Sequence, residues 1–205
     1  MVRPLYYIEI FVERENIFYT KDVNTSGFYT TENYTMDQSL ITPVKTAFPP
    51  IVDSGCTVLL LGTMPGDRSL TLQQYYGHAG NHFWKLIYTL FDEPVDADYE
   101  NRKAFLLHHE IALWDVLASC TCEGSLDSNI KNEVVNDFSA FYLQYPAITH
   151  VFFDSKKAEQ FYLKYVKKSE GKSYHSLPSP SRANASKTFG QKLEAWQELL
   201  LYVKR

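Results

Sequence analysis

The stretch from Gly62 to Trp84 reads G-T-M-P-G-D-R-S-L-T-L-Q-Q-Y-Y-G-H-A-G-N-H-F-W. It concentrates the side-chain types that a ligand site uses. Gly62 and Gly66 allow backbone to approach a ligand closely, and the chain turns between them at Pro65-Gly66. Tyr75 and Tyr76 offer flat faces to a planar ring. Asn81 offers both a hydrogen-bond donor and an acceptor. His78 can donate a proton or make a structural bond, and Asp67 suits an exposed turn. A loop this long inside a compact domain is uncommon and usually functional. The same residues also suit a plain connection, with core tyrosines and with Asn81 capping a helix at HFWKLI.

The elements that position this loop follow from periodicity. TVLLLG (57–62) is a short, continuously apolar run ending in glycine, as in a strand buried on both faces. IALWDV (111–116), ITHVFFD (148–154) and SYHSL (173–177) read as three more strands. Helical spacing appears in NHFWKLIYTLF (81–91), NRKAFLLHHE (101–110), NEVVNDFSAFYLQY (132–145) and SKKAEQFYLKYV (155–166). A final long helix runs from SKTFGQ, with Ser186 a candidate N-cap. Strands alternating with helices predict an α/β fold, a three-layer α/β/α arrangement around a central four-stranded parallel sheet. Ligands bind such sheets at the carboxyl ends of the strands, so Gly62, Asp115 and Leu177 onward are the places to watch. Asp there is also a common cap. Residues 1–46 stand apart, rich in Tyr, Thr, Asn and Glu. Alternation in YYIEIFVE and IFYT predicts a strand-bearing extension, with a hairpin turning near Glu15-Asn16.

Composition sets bounds. The chain has 205 residues, 45% hydrophobic and 21% charged, enough for one sizeable core plus an extension. No apolar run reaches the roughly 18 residues of a membrane span, and the acid-broken start is no secretory signal. Cys56, Cys120 and Cys122 cannot all pair, which fits free thiols in a reducing cytoplasm. Cys120-x-Cys122 is too tight for a zinc or iron–sulfur site, so no metal is expected. Net charge is −4, yet Lys156 to Lys192 holds nine basic residues against Glu159 and Glu170. Such a segment can meet a polyanion, or it can be a solvated face.

The Gly62–Trp84 block resembles the first motif of the uracil-DNA glycosylase superfamily. It is most similar to the hypoxanthine-DNA (DNA-deoxyinosine) glycosylase branch, family six, whose pattern runs G-[ST]-M-P-G-x-x-S-L-x-x-Q-Q-Y-Y-x-H-P-x-N-x-F-W. Nearly every fixed position matches without a gap. LWDVLASCTCEGSLDSNI (113–130) is similar to the segment after the second strand, and LPSPSRANA (177–185) stands where the second motif, a Pro-Ser loop on the DNA backbone, belongs. The likeness covers about residues 47–203, within one glycosylase-like domain of residues 47–205, and leaves the extension of residues 1–46 without a role.

The resemblance implies a monofunctional DNA glycosylase acting as a monomer on DNA with a deaminated base, without cofactor, metal or membrane, in the cytoplasm (on the nucleoid in a bacterium). It implies Asn81 as the catalytic side chain and Tyr76 as the stacking platform. Gly62, Met64, Pro65 and His78 would surround the base. Ser179, Pro180, Ser181, Arg182 and Lys187 would meet DNA. Four residues depart from patterns common in the superfamily. Met64 stands where other branches place a water-positioning Asp or Asn, Leu177 where many place a His, and Ala79-Gly80 where Pro and Arg are usual. A non-catalytic lesion binder of the same fold is therefore a second reading, and an enzyme of free nucleosides a third.

Overall fold

The computed structural model describes residues 8–13, 16–21, 30–34 and 44–204. The chain forms two compact units, residues 1–42 and 43–205. In the first, β1 (Ile8–Glu13) pairs antiparallel with β2 (Asn16–Lys21), and β2 with β3 (Thr30–Tyr34). Glu13 lies opposite Asn16, so this is the hairpin expected there, extended by a third strand.

The second unit is built on a four-stranded parallel sheet in the order β10-β9-β5-β6, from β5 (Val58–Gly62), β6 (Ile111–Asp115), β9 (His150–Phe153) and β10 (Ser173–Ser176). Successive side chains on a strand face opposite ways, and the core obeys this. Val58 and Leu60 pack in one cluster with Phe83, Leu86, Leu106 and Trp196; Leu59 and Leu61 pack in another with Phe138, Phe141, Phe161 and Tyr162. The first layer therefore comes from α2 (Phe83–Leu90), α3 (Tyr99–His108) and α6 (Phe189–Trp196), the second from α4 (Phe138–Gln144) and α5 (Lys156–Tyr165). This is the expected α/β/α sandwich.

Four local expectations are corrected. The loop after β5 contains a short helix, α1 (Asp67–Leu72). Residues 132–135, expected as helix, lie in a strand, β8 (Lys131–Val135); it pairs with β7 (Leu117–Thr121), which pairs with β4 (Val44–Thr46), in a three-stranded antiparallel sheet. The helix starts only at Phe138, where the Asp137 carboxylate accepts the Ala140 N–H. The last helix is capped by Thr188, not Ser186, in a capping box with Gln191, and tightens into a 3-10 segment over Gln197–Leu201. Among the described residues no helix is long and apolar enough to cross a membrane.

Candidate active site

The carboxyl ends of β5 and β6, and the residue that follows β9, bring Gly62, Asp115 and Asp154 to one cavity of about 800 Å³. Both carboxylates are buried, at 4% and 6% exposure. They crowd Gly62: a Cβ there would stand 2.6 Å from Asp115 Oδ1 and 3.0 Å from the Tyr76 hydroxyl. Only a bare Cα fits beneath this floor.

Tyr76 donates its hydroxyl to Asp154 Oδ2 at 2.8 Å. One face of its ring lies on Phe83, with centroids 3.8 Å apart and planes 10° from parallel. The residue lines the cavity, so the face left for a ligand is the other one. Burial, and then the negative charge of Asp154, push the phenol well above its ordinary value; it stays protonated and acts as a donor. Its backbone has φ +51°, the left-handed region that a bulky residue rarely adopts and that clusters at functional sites. The surrounding bonds hold it there. Ser69 Oγ accepts the Gly77 N–H at 3.0 Å, and the Trp84 indole donates to the Tyr75 carbonyl at 2.9 Å. Tyr75 itself is a core residue, 4% exposed, with its hydroxyl directed to the Phe48 and Pro49 carbonyls.

Asn81 lines the same cavity. The residue flanking α2 is His82, and Asn81 stands one place earlier, yet Asn81 Oδ1 accepts the Phe83 N–H at 2.9 Å. Its acceptor atom is thus engaged in starting the helix. The Nδ2 group is a donor only. His78 Nδ1 accepts the Gly80 N–H at 2.9 Å, so in the neutral ring the proton sits on Nε2. Asp67 begins α1 and pairs with Lys45, as suits an exposed turn residue.

The opposite wall is the loop after β10. Ser179 Oγ accepts the Ser181 N–H and Ser181 Oγ accepts the Ala183 N–H, both at 3.2 Å. Each hydroxyl keeps its own proton for an outside acceptor. The His82 N–H donates to the Pro180 carbonyl at 2.9 Å and joins this loop to the first. Gly80 lets them close: its Cβ would stand 3.1 Å from Arg182 Cδ and 3.1 Å from the His78 ring.

The cavity therefore gathers Gly62, Met64, Pro65, Tyr76, His78 and Asn81 from the first loop. From the second it gathers Ser179, Pro180, Ser181 and Arg182. Lys187 is exposed and lies outside the cavity lining. The basic segment divides. Helix α5 carries its chain about 15 Å from the end of β9, where Lys164 pairs with Glu133 and Lys172 donates to the Ile148 carbonyl. Those lysines sit toward the other end of the sheet. Asp154 and the fully buried Lys192 were not singled out from sequence. Asp154 ends its apolar run as Asp115 does, a signal that was present; nothing in sequence marks one lysine of a basic run as buried.

Residues 49–200 match the family described as the Uracil DNA glycosylase superfamily. The chain belongs to that superfamily. Among its curated relatives, a hypoxanthine DNA glycosylase of Methanosarcina acetivorans is 35% identical over 156 residues, 75% of this chain and 96% of the relative. One of Methanosarcina barkeri is 39% identical over 118 residues, 57% of this chain and 75% of the relative. The solution structure of a Methanosarcina acetivorans protein assigned as a uracil DNA glycosylase superposes with a TM-score of 0.66 at 34% identity. That match covers 77% of this chain and 99% of the other. The superfamily match embraces both loops and all four strands of the parallel sheet, so the cavity lies wholly inside the matched region.

Proposed function

We propose that this chain is a monofunctional DNA glycosylase that hydrolyses the N-glycosidic bond of a deaminated base, hypoxanthine foremost and uracil second. The observation that carries the reading is the convergence of Tyr76, Asn81 and Asp115 on one cavity at the sheet's carboxyl ends. A base inside a duplex is out of reach, so its nucleotide must rotate into a pocket. The open face of Tyr76 suits the extruded ring. Deamination turns a ring-nitrogen acceptor into an N–H donor. A buried carboxylate has about four lone-pair positions and can accept that N–H, whereas it repels the lone pair of adenine or cytosine.

In the reaction the C1′–N bond breaks with its electron pair passing to the base. Water oxygen bonds to C1′, and its proton ends on the base. Negative charge grows on the leaving ring, and the Asn81 Nδ2 donor suits it. Ser179, Ser181 and Arg182 hold backbone phosphates, the partners that dominate protein–DNA hydrogen bonds. No lysine is among the residues lining the cavity, which supports base release without a Schiff base and strand cleavage.

The test uses purified protein and duplexes carrying a single inosine, uracil, xanthine or thymine mismatch. Release of free hypoxanthine, with strand breakage only after alkali, is expected. Tight binding to inosine duplex without release would replace this reading with that of a lesion-binding protein.

A further inference from the structure

Lys192 is fully buried, at 0% exposure. Lysine is almost never so placed unless paired, and among the described residues it makes no ion pair. Its Nζ donates to the Ser181 carbonyl at 3.0 Å, an oxygen that also accepts the Asn184 N–H at 3.2 Å. One helical turn on, the Trp196 indole donates to the Pro178 carbonyl at 2.9 Å. Helix α6 thus grips the Pro-Ser loop from behind at two carbonyls, while the loop's Ser179, Ser181 and Arg182 face the cavity.

Trp196 shows that a neutral donor suffices to hold this loop. An ammonium adds only its charge, and burying that charge is costly. The cost is borne where other cations gather. Burial first, and then the charges of Lys192 and Lys85, lower the proton affinity of His82, whose backbone N–H holds Pro180. Arg182 stands on the loop itself. Burial leaves the Lys192 field poorly screened by salt.

Resting on the reading of this face as a DNA surface, we infer that Lys192 is a positioning residue for a backbone phosphodiester, acting through Ser181 as a fixed cation beneath the loop. The phosphate completes the charge balance that the protein alone leaves open, and this lowers the cost of seating the DNA next to the pocket.

Lys192→Met keeps an unbranched side chain and removes the charge; Lys192→Gln removes the charge but keeps a donor for Ser181. The assay is binding to a lesion-free duplex across a salt series, with thermal melts and single-turnover base release at saturating inosine duplex. Replacing a buried unpaired charge by an apolar group is often neutral or stabilising, so Lys192→Met should melt no lower than the parent. Its duplex affinity should fall about fivefold and its log–log salt slope should become shallower by up to about 0.9, the share of one neutralised phosphate. The loss should fall on KM rather than on the saturated rate, and Lys192→Gln should behave alike. Parental affinity and slope in either folded variant would overturn the inference. So would failure of both to fold, since the ammonium would then hold the domain together. Because the duplex carries no lesion, the result stands apart from base release. A protein that binds duplex in this way yet frees no base refutes the glycosylase reading alone.

Discussion

On the proposed reading the two ends of the Asn81 amide do different work, and two substitutions separate them. Oδ1 accepts the Phe83 N–H at 2.9 Å, so Asn81→Ala removes a bond that satisfies the first turn of α2. Losing such a cap costs about 0.5–2 kcal/mol, and in a domain of this size each kcal/mol lowers Tm by about 2–4 °C. Asn81→Asp keeps the acceptor and adds a charge that the start of a helix favours, so its melt should stay within about 1 °C of the parent. Nδ2 is lost in both. If its role is to donate to the leaving base, both variants should fall at least about a hundredfold in single-turnover rate, the scale of one missing transition-state donor. Asp should be no better than Ala, because a carboxylate beside a developing anion repels it. The assay is base release from excess-enzyme reactions on inosine duplex, with melts followed by circular dichroism. Cleavage by Asn81→Asp within tenfold of the parent would mean that an acceptor serves there, orienting water, and the donor argument would fail. Cleavage by folded Asn81→Ala at that level would remove Asn81 from the chemistry altogether.

Gly62→Ala places a methyl 2.6 Å from Asp115 Oδ1; such overpacking costs about 1–3 kcal/mol and should lower both Tm and base release, and a parental melt with parental activity refutes the tight floor. Tyr76→Phe keeps the ring on Phe83 but strips Asp154 of a 2.8 Å donor, so it should melt lower while keeping activity within about tenfold. Tyr76→Ala should lose about 5- to 150-fold with every accepted base, the worth of base–aromatic stacking, and equal damage from Phe and Ala would move the platform elsewhere. Glu133 is held at about 2, below its ordinary 4.5, first by the Lys164 hydrogen bond and then by that of Tyr165. A carboxyl lowered on folding stabilises fully above the unfolded value and loses that contribution as pH falls through the folded one. An acid titration of Glu133→Gln should therefore lose less stability between pH 4.5 and about 2 than the parent does; parallel curves would show the contact to be inert.

The central sheet was legible because its strands are buried on both faces and read as unbroken apolar runs, Val58–Leu61 and Ile111–Trp114 above all. The antiparallel sheet was not. LASCT (117–121) and KNEVV (131–135) are half polar, and Val134, Phe138, Phe141 and Tyr145 happen to fall at helical spacing across a strand, a turn and a helix. Asn136 marks the break, donating its Nδ2 to the Asp115 carbonyl at 2.8 Å, a tertiary bond that local pattern cannot register. The true cap of α6 was visible as Thr188-x-x-Gln191, while Ser186 instead donates to Asn184 Oδ1. The first loop's cavity-lining residues were legible by type and spacing. Both tyrosines border the cavity, and only three dimensions distinguish them: Tyr75 is buried at 4% exposure, while Tyr76 stacks on Phe83 and bonds Asp154.

The departures at Met64 and Leu177 make sense once their neighbours are known. Leu177 is 3% exposed and belongs to the apolar cluster of Phe83, Trp84 and Trp196; a charged or polar side chain there would need a buried partner. Met64 lines the cavity but packs against the opposite cluster, with Leu61 and Phe153. Both positions serve packing beneath the two loops. The polar groups of the site are displaced one layer outward or inward: Asn81 and His78 on the outer loop, Asp115 and Asp154 on the strand ends. A donor on the outer loop can meet a leaving base only if that loop is fixed relative to the strands. The His82–Pro180 backbone bond and the Trp196 contact at Pro178 provide this fixation. The proposed chemistry at Asn81 would therefore make the final helix part of the working geometry, although none of its side chains lines the cavity.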